Sequence, residues 1–93
     1  MWYVYIVECS DKNNSLYTGI TNDIEKRIAK HNAGRGAKFL RGGRLPVALK
    51  KSFEVETKGH ALRVEHKIKS LSREEKLKFV LTDYNYKLDE SNS

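Results

Sequence analysis

Trp2-Tyr3-Val4-Tyr5-Ile6-Val7-Glu8-Cys9, followed by Ser15-Leu16-Tyr17-Thr18-Gly19-Ile20, decides the fold. The first segment is aromatic and β-branched with almost no polar break, the pattern of a strand buried on both faces and therefore central in its sheet. Residues 3, 5, 7 and 9 share one face of it. Ser10-Asp11-Lys12-Asn13-Asn14 between the two segments has the composition of a turn, which predicts a β-hairpin. Gly19 falls where the second strand ends, a position at which backbone can approach another group closely.

Beyond the hairpin, Asn22 with Glu25 reads as a capping box, and Ile24, Ile28 and Ala29 give a helix running to about Asn32 and stopping at Gly34. Arg27 and His31, at i and i+4, stack on the flank of that apolar stripe, where sites form. Residues 33–46 hold four glycines and four cations without periodicity and predict a long, mobile loop. Residues 47–55 alternate as a third strand, with Val47, Leu49, Phe53 and Val55 inward, Lys50 outward and Lys51 interrupting the inner row. Thr57 or Lys58 opens a second helix with Ala61, Leu62, Val64, Ile68 and Leu71 apolar. At about 100° per residue, Glu65 falls between Ala61 and Leu62, on the core side. Ser72 and Glu75 form another capping box before a third helix carrying Leu77, Phe79, Val80 and Leu81. One domain over 1–83 accounts for this pattern. Residues 84–93 have only Tyr84, Tyr86 and Leu88 to bury and are expected to fray.

The 93 residues suffice for one small domain with a modest core. Lys and Arg number 18 against 12 Asp and Glu, a net charge of +6. Such a surplus can serve solubility alone, but it is concentrated: residues 26–51 carry nine Lys or Arg and no acid. That block favours an anionic, phosphate-rich partner. The single cysteine, Cys9, makes no intramolecular disulfide and no zinc spacing exists, so a reducing cytoplasm is expected. With no basic leader and no apolar run of about 20 residues, neither export nor membrane insertion is expected.

Five positions carry candidate chemistry, each with a plain structural alternative. Glu65 on a packed face needs a partner, either a cation such as Arg27 or Lys51, or a hard divalent metal, Mg²⁺ or Mn²⁺, that keeps waters and takes phosphate oxygens. Tyr5 and Tyr17 on adjacent strands are core aromatics, or a phenol pair in which one acts as general base beside a cation. Arg27 is a surface residue, or the fork that stabilises a reacting phosphate. His31 is a second proton shuttle or phosphate donor, or a helix-end histidine favoured by the dipole. His60 and His66 point away from Glu65 by the same angular count. No exposed aromatic platform for bases is identifiable, nor a base-reading helix.

In this order the residues closely resemble the GIY-YIG nuclease superfamily, in its small bacterial single-domain branch, over about residues 2–82. Tyr3-Val4-Tyr5 stands for Gly-Ile-Tyr and Tyr17-Thr18-Gly19 for Tyr-Ile-Gly. The family's helix arginine falls on Arg27 and its metal-binding glutamate on Glu65, while His31 and the stretch from Asn32 to Lys38 are typical of the branch. The first tripeptide lacks its glycine, Thr18 replaces isoleucine, and Ile20 stands where some members have lysine. The resemblance implies an α/β (α+β) fold, a three-stranded antiparallel sheet flanked by about three helices. It also implies phosphodiester hydrolysis with one divalent metal, in which Tyr5 or Tyr17 assists water, Arg27 steadies the phosphate and Glu65 holds the metal. The expected substrate is DNA, with RNA open and repair or recombination intermediates as candidates. No small-molecule cofactor and a monomer or weak dimer are expected. The competing reading is a catalytically idle nucleic-acid-binding module that uses the basic loop 34–44, with Arg35, Lys38, Arg41 and Arg44 on phosphates.

Overall fold

The computed structural model describes residues 1–81, apart from the side chain of Leu81; the proposed tail 84–93 lies outside the described residues. Three antiparallel strands form one sheet: β1 (Trp2–Cys9), β2 (Leu16–Thr21) and β3 (Val47–Val55), in the order β2-β1-β3. The central position of β1 follows from its composition, because both of its faces are covered. Val4 and Ile6 join Phe53, Val55, Ala61, Val64, Ile68 and Phe79 in one cluster, while Tyr5, Val7 and Cys9 join Leu40 and Val47 in another. Each fully buried apolar side chain of this size contributes about 1.5–3 kcal/mol relative to exposure.

The hairpin turn is clipped by Asp11. Its carboxylate accepts the Ser15 N–H at 2.8 Å and the Ser15 hydroxyl at 2.6 Å, and these bonds hold its pKa below the ordinary carboxylate range. Helix α1 (Ile24–Asn32) begins one residue later than the Asn22–Glu25 pair suggests. Asp23 is its N-cap and accepts the Lys26 N–H at 3.1 Å, while Asn22 is exposed. Two neighbouring residues were both competent caps, and the Thr21 hydroxyl, which accepts the Asp23 N–H, favours the second. The other end matches the expected stop at Gly34: this glycine has φ +78°, its N–H donates to the His31 carbonyl, and the Arg35 N–H donates to that of Lys30. That is a Schellman closure.

Strand β3 departs from simple alternation. Ile6 faces Lys51 but Val7 faces Leu49, so Lys50 is an extra residue in a bulge. The bulge switches the odd-numbered row between faces. Val47 packs with Tyr5 and Cys9, whereas Phe53 and Val55 pack with Val4 and Ile6. Leu49, expected inward, is 43% exposed. Lys51 consequently lies on the Ile6 face, where its Nζ donates to the Phe79 carbonyl at 3.2 Å.

Helices α2 (Lys58–Lys69) and α3 (Arg73–Leu81) cover the Val4/Ile6 face. Thr57 caps α2 by accepting the His60 N–H at 3.1 Å. Ala61, Val64 and Ile68 are buried, but Leu62 is 47% exposed, so the apolar arc is narrower than its sequence pattern. The capping box of α3 forms as expected, with Ser72 N–H donating to Glu75 Oε1 and Glu75 N–H to Ser72 Oγ. Residues 33–46, expected as an unanchored loop, contain a 3₁₀ turn at Lys38–Leu40 whose Leu40 is only 1% exposed. Two sparse apolar residues, Ala37 and Leu40, pin it; they carry too little periodicity to register as an element. Asn32 pins it from the other side: its amide accepts from Val47 N–H at 2.7 Å and donates to Val47 O at 3.3 Å, tying α1 to β3.

Candidate functional site

The site is assembled on the Tyr5 face, where α1 and the 3₁₀ turn meet β1 and β2. Tyr5 extends its phenol over β2 at Gly19. A Cβ added to Gly19 would stand 2.6 Å from Tyr5 Oη and 2.7 Å from Cζ, so the close approach foreseen at this glycine is to a phenol of the same chain. Tyr5 Oη is 2.7 Å from His31 Nε2 and accepts from Arg27 Nε at 3.4 Å.

His31 is the one buried residue of α1, at 1% exposure. Its Nδ1 accepts the Ala37 N–H at 3.2 Å. A backbone N–H can only donate, so in the neutral ring the proton sits on Nε2 and is donated to Tyr5 Oη. Burial, then the charges of Arg27 and Lys30, pushes the His31 pKa down to about 4, and the ring is neutral at physiological pH. Gly36 packs so closely on this ring that any Cβ there would collide with Nδ1. The dipole-bound surface histidine is therefore excluded, and both ring nitrogens are already engaged.

Tyr5 receives two donors, which occupy the lone pairs of its oxygen and leave its own proton for a third group. Burial raises its pKa above the ordinary phenol value; the Arg27 hydrogen bond opposes that shift, and the nearby charge of Glu65 adds to it. Tyr17 lies beside Tyr5, ring centroids 6.5 Å apart, and presents an edge contact to His31 at 5.8 Å. Lys69 Nζ sits 5.9 Å from the Tyr17 ring and 3.4 Å from Glu65 Oε2. The partner of Glu65 among the described residues is thus Lys69, one turn along α2. Its side chain is 18% exposed, half-sunk as its angular position suggested. Tyr5, Tyr17, Arg27, His31 and Glu65 are brought to one neighbourhood.

Arg27 is flanked by two shallow cavities, one of about 250 Å³ lined by Lys26 and Lys30, the other of about 310 Å³ lined by Trp2, Ile20 and Lys58. A larger cavity of about 470 Å³ lies elsewhere, beside Glu54 and Glu56, with two carboxylates unsuited to phosphate. Of the basic loop, Arg35, Lys38 and Arg41 are exposed. Arg44 is half-buried, its guanidinium 4.3 Å from the Phe39 ring and its Nε 3.6 Å from Asp11 Oδ2.

A family model described as the GIY-YIG catalytic domain matches residues 1–78. The chain belongs to the GIY-YIG family. A UPF0213 protein of Haloquadratum walsbyi is 57% identical over 74 residues, 80% of each chain. One of Staphylococcus haemolyticus is 51% identical over 78 residues, covering 84% of this chain and 92% of that one. The solution NMR structure of the UPF0213 protein BH0048 from Bacillus halodurans superposes with a TM-score of 0.53 at 46% identity, over 86% of this chain and 83% of that one. The three-stranded antiparallel sheet with helices is therefore the GIY-YIG fold, and the family is one of nucleases. Among the described residues no helix is long and apolar enough to cross a membrane. Nor do three or more His, Cys, Asp or Glu gather as a ready metal cage.

Sequence reasoning missed the supporting parts of this GIY-YIG site. Lys69 was visible as the i+4 cation from Glu65. The roles of Gly36 and Ala37 were not legible, because they lie in contact with a ring five and six residues earlier. Phe39, which stacks on Tyr17 at 5.9 Å with planes 19° apart, stood out only as an aromatic inside a basic segment.

Proposed function

We propose that the protein is a metal-dependent endonuclease that hydrolyses phosphodiester bonds of DNA. The observation that carries this reading is the phenol of Tyr5, bonded at once to the buried neutral His31 and to Arg27, beside Tyr17 and within the field of Glu65.

The donor set suits Mg²⁺ or Mn²⁺: one hard carboxylate, Glu65, partly exposed and balanced by a displaceable ammonium, with room left for waters and substrate phosphate oxygens. Such an ion would supply charge stabilisation to the leaving oxygen. Arg27 binds the scissile phosphate through its remaining guanidinium donors and stabilises the charge that develops there. Tyr5 keeps its proton, because burial raises its pKa, and donates it in a hydrogen bond to a phosphate oxygen. His31 fixes the direction of that phenol. Tyr17, with no hydrogen bond from its hydroxyl among the described residues, orients the attacking water by accepting a hydrogen bond from it. Lys26 and Lys30 on one side of Arg27, and Lys58 on the other, hold the flanking phosphates. Lys58 shares a cavity with Ile20 and supplies the cation that position 20 lacks.

The test is nicking of labelled single-stranded, duplex and branched DNA with Mg²⁺, with Mn²⁺ and in chelator, comparing wild type with Glu65→Ala and Arg27→Ala. Cleavage that needs metal and drops at least about 100-fold in both variants is expected. If wild type cuts no better than the variants while all three bind DNA equally, the protein is a binding module.

A further inference from the structure

We propose that Phe39 is a stacking platform for an unpaired DNA base next to the reacting phosphate, so that single-stranded or locally unpaired DNA is the preferred substrate. This rests on the DNA reading above. Among the described residues, the large exposed hydrophobics are Met1, Phe39, Leu49 and Leu62, and Phe39 is the one aromatic, 45% exposed. Single exposed hydrophobics are ordinary, so exposure alone decides nothing. The position does.

Phe39 sits at the middle of the 3₁₀ turn Lys38–Leu40, and the next residue, Leu40, is locked in the core at 1% exposure. The Ala37 N–H bound to His31 fixes the start of the same turn. The ring is therefore held in place at both ends of its turn, and its orientation is tied to the histidine that orients Tyr5. Part of the ring is covered by Tyr17, nearly parallel at 19°. The Arg44 guanidinium lies over the ring at 4.3 Å from its centroid, held 3.6 Å from Asp11, so a base stacks on the part of the ring that Tyr17 and Arg44 leave open. Phe39 is still 45% exposed, and Lys38 and Arg41, close to it in the chain, are exposed too.

An aromatic surface beside a reacting centre, rimmed by cations, has the chemistry that holds a single strand: cations track the phosphates while a base lies on the ring. A base inside a duplex already stacks on its neighbours and cannot use such a platform without leaving the helix, at a cost of a few kcal/mol. An already unpaired base avoids that cost. Stacking also tolerates any base, so the platform selects strand state and not sequence. A ring placed here only to shelter Tyr17 and His31 would be replaceable by another apolar side chain.

The measurement is fluorescence anisotropy of a labelled single-stranded oligonucleotide and its duplex, at fixed salt and in chelator so that no cleavage occurs, with wild type, Phe39→Leu and Phe39→Trp. Leucine keeps the apolar cover and removes the π face. Phe39→Leu is expected to weaken single-strand binding about tenfold while duplex binding stays within about twofold, and Phe39→Trp is expected to match or exceed wild type. Equal binding of single strands by wild type and Phe39→Leu overturns the proposal, as does an equal loss on both substrates. If wild type never cuts DNA yet shows the Phe39-dependent preference, the nuclease reading falls and the platform stands. If it cuts every substrate and the leucine variant changes nothing, the reverse holds.

Discussion

Replacing Gly19 with alanine should cost both stability and activity through one atom. The added Cβ would stand 2.6 Å from Tyr5 Oη, where ordinary contact begins at 3.4 Å. Gly19 is not in the left-handed region, so alanine meets no backbone penalty and the whole effect is steric. Tyr5 cannot yield freely, being 1% exposed with its oxygen 2.7 Å from His31. A retreat of roughly 1 Å restores normal separation, and that displacement takes the phenol out of hydrogen-bonding reach of either His31 or Arg27. Overpacking of this size costs about 1–3 kcal/mol, which in a domain this small lowers Tm by about 5–15 °C. A misplacement of about 1 Å at reacting groups lowers turnover about 100-fold. Thermal unfolding and metal-dependent nicking, measured on the same preparation, check both numbers. The double variant Gly19→Ala/Tyr5→Phe should recover neither Tm nor turnover, because the Cζ contact at 2.7 Å remains and the buried His31 Nε2–H loses its acceptor. A Gly19→Ala protein with wild-type Tm and wild-type nicking would show that the Tyr5 phenol does not lie across β2 as described.

Three further outcomes follow from groups around the same sheet. Thr18 is 2% exposed and its hydroxyl has no hydrogen-bond partner among the described residues, so the isosteric Thr18→Val should stabilise the protein by about 1 kcal/mol in urea unfolding; a loss of stability would reveal a partner for that hydroxyl. His31 binds its proton at about pH 4 when folded, against 6.5 for an ordinary histidine. The unfolded chain therefore protonates first as pH falls: the His31 contribution is intact above about 6.5, declines between 6.5 and 4, and amounts to about 3 kcal/mol in full. The stability gap between wild type and His31→Gln should narrow across that window, and a gap that does not change with pH would place His31 in solvent. The Cys9 thiol is 2% exposed and pushed up in pKa by burial, with Asp11 adding to the shift. It should resist alkylation near pH 8 until the protein unfolds, whereas rapid labelling of the native protein would mean that this face of β1 is open.

Much of the fold was legible because it rests on local, periodic signals. The uninterrupted apolar run of β1 could only be a strand covered on both sides, and Asp11–Ser15, Thr57 and Ser72–Glu75 are turn or cap chemistry written in adjacent residues. The shift from Asn22 to Asp23 shows the limit of that signal, since two capable neighbours differ only in what Thr21 can reach. The β3 bulge shows another: one extra residue at Lys50 reversed which side chains face which layer, and no pattern within β3 announces it, because it is a register between two strands.

The sequence by itself determined which reactive groups the chain possesses, the two phenols, the arginine, the histidine and the carboxylate, and placed each on its element. Tertiary structure alone decided what each became. His31 turned from a helix-end cation into a neutral donor because burial, then the charges of Arg27 and Lys30, disfavour its charged form, while Ala37 N–H takes Nδ1 and leaves the proton on Nε2. Glu65 found Lys69 among the described residues. Phe39 became an exposed ring beside Tyr17 because Leu40 was drawn into the core. Identity and periodicity are properties of neighbours in the chain, whereas proton location, ion pairing and exposure depend on distances between residues far apart in sequence, and only the closed fold sets those.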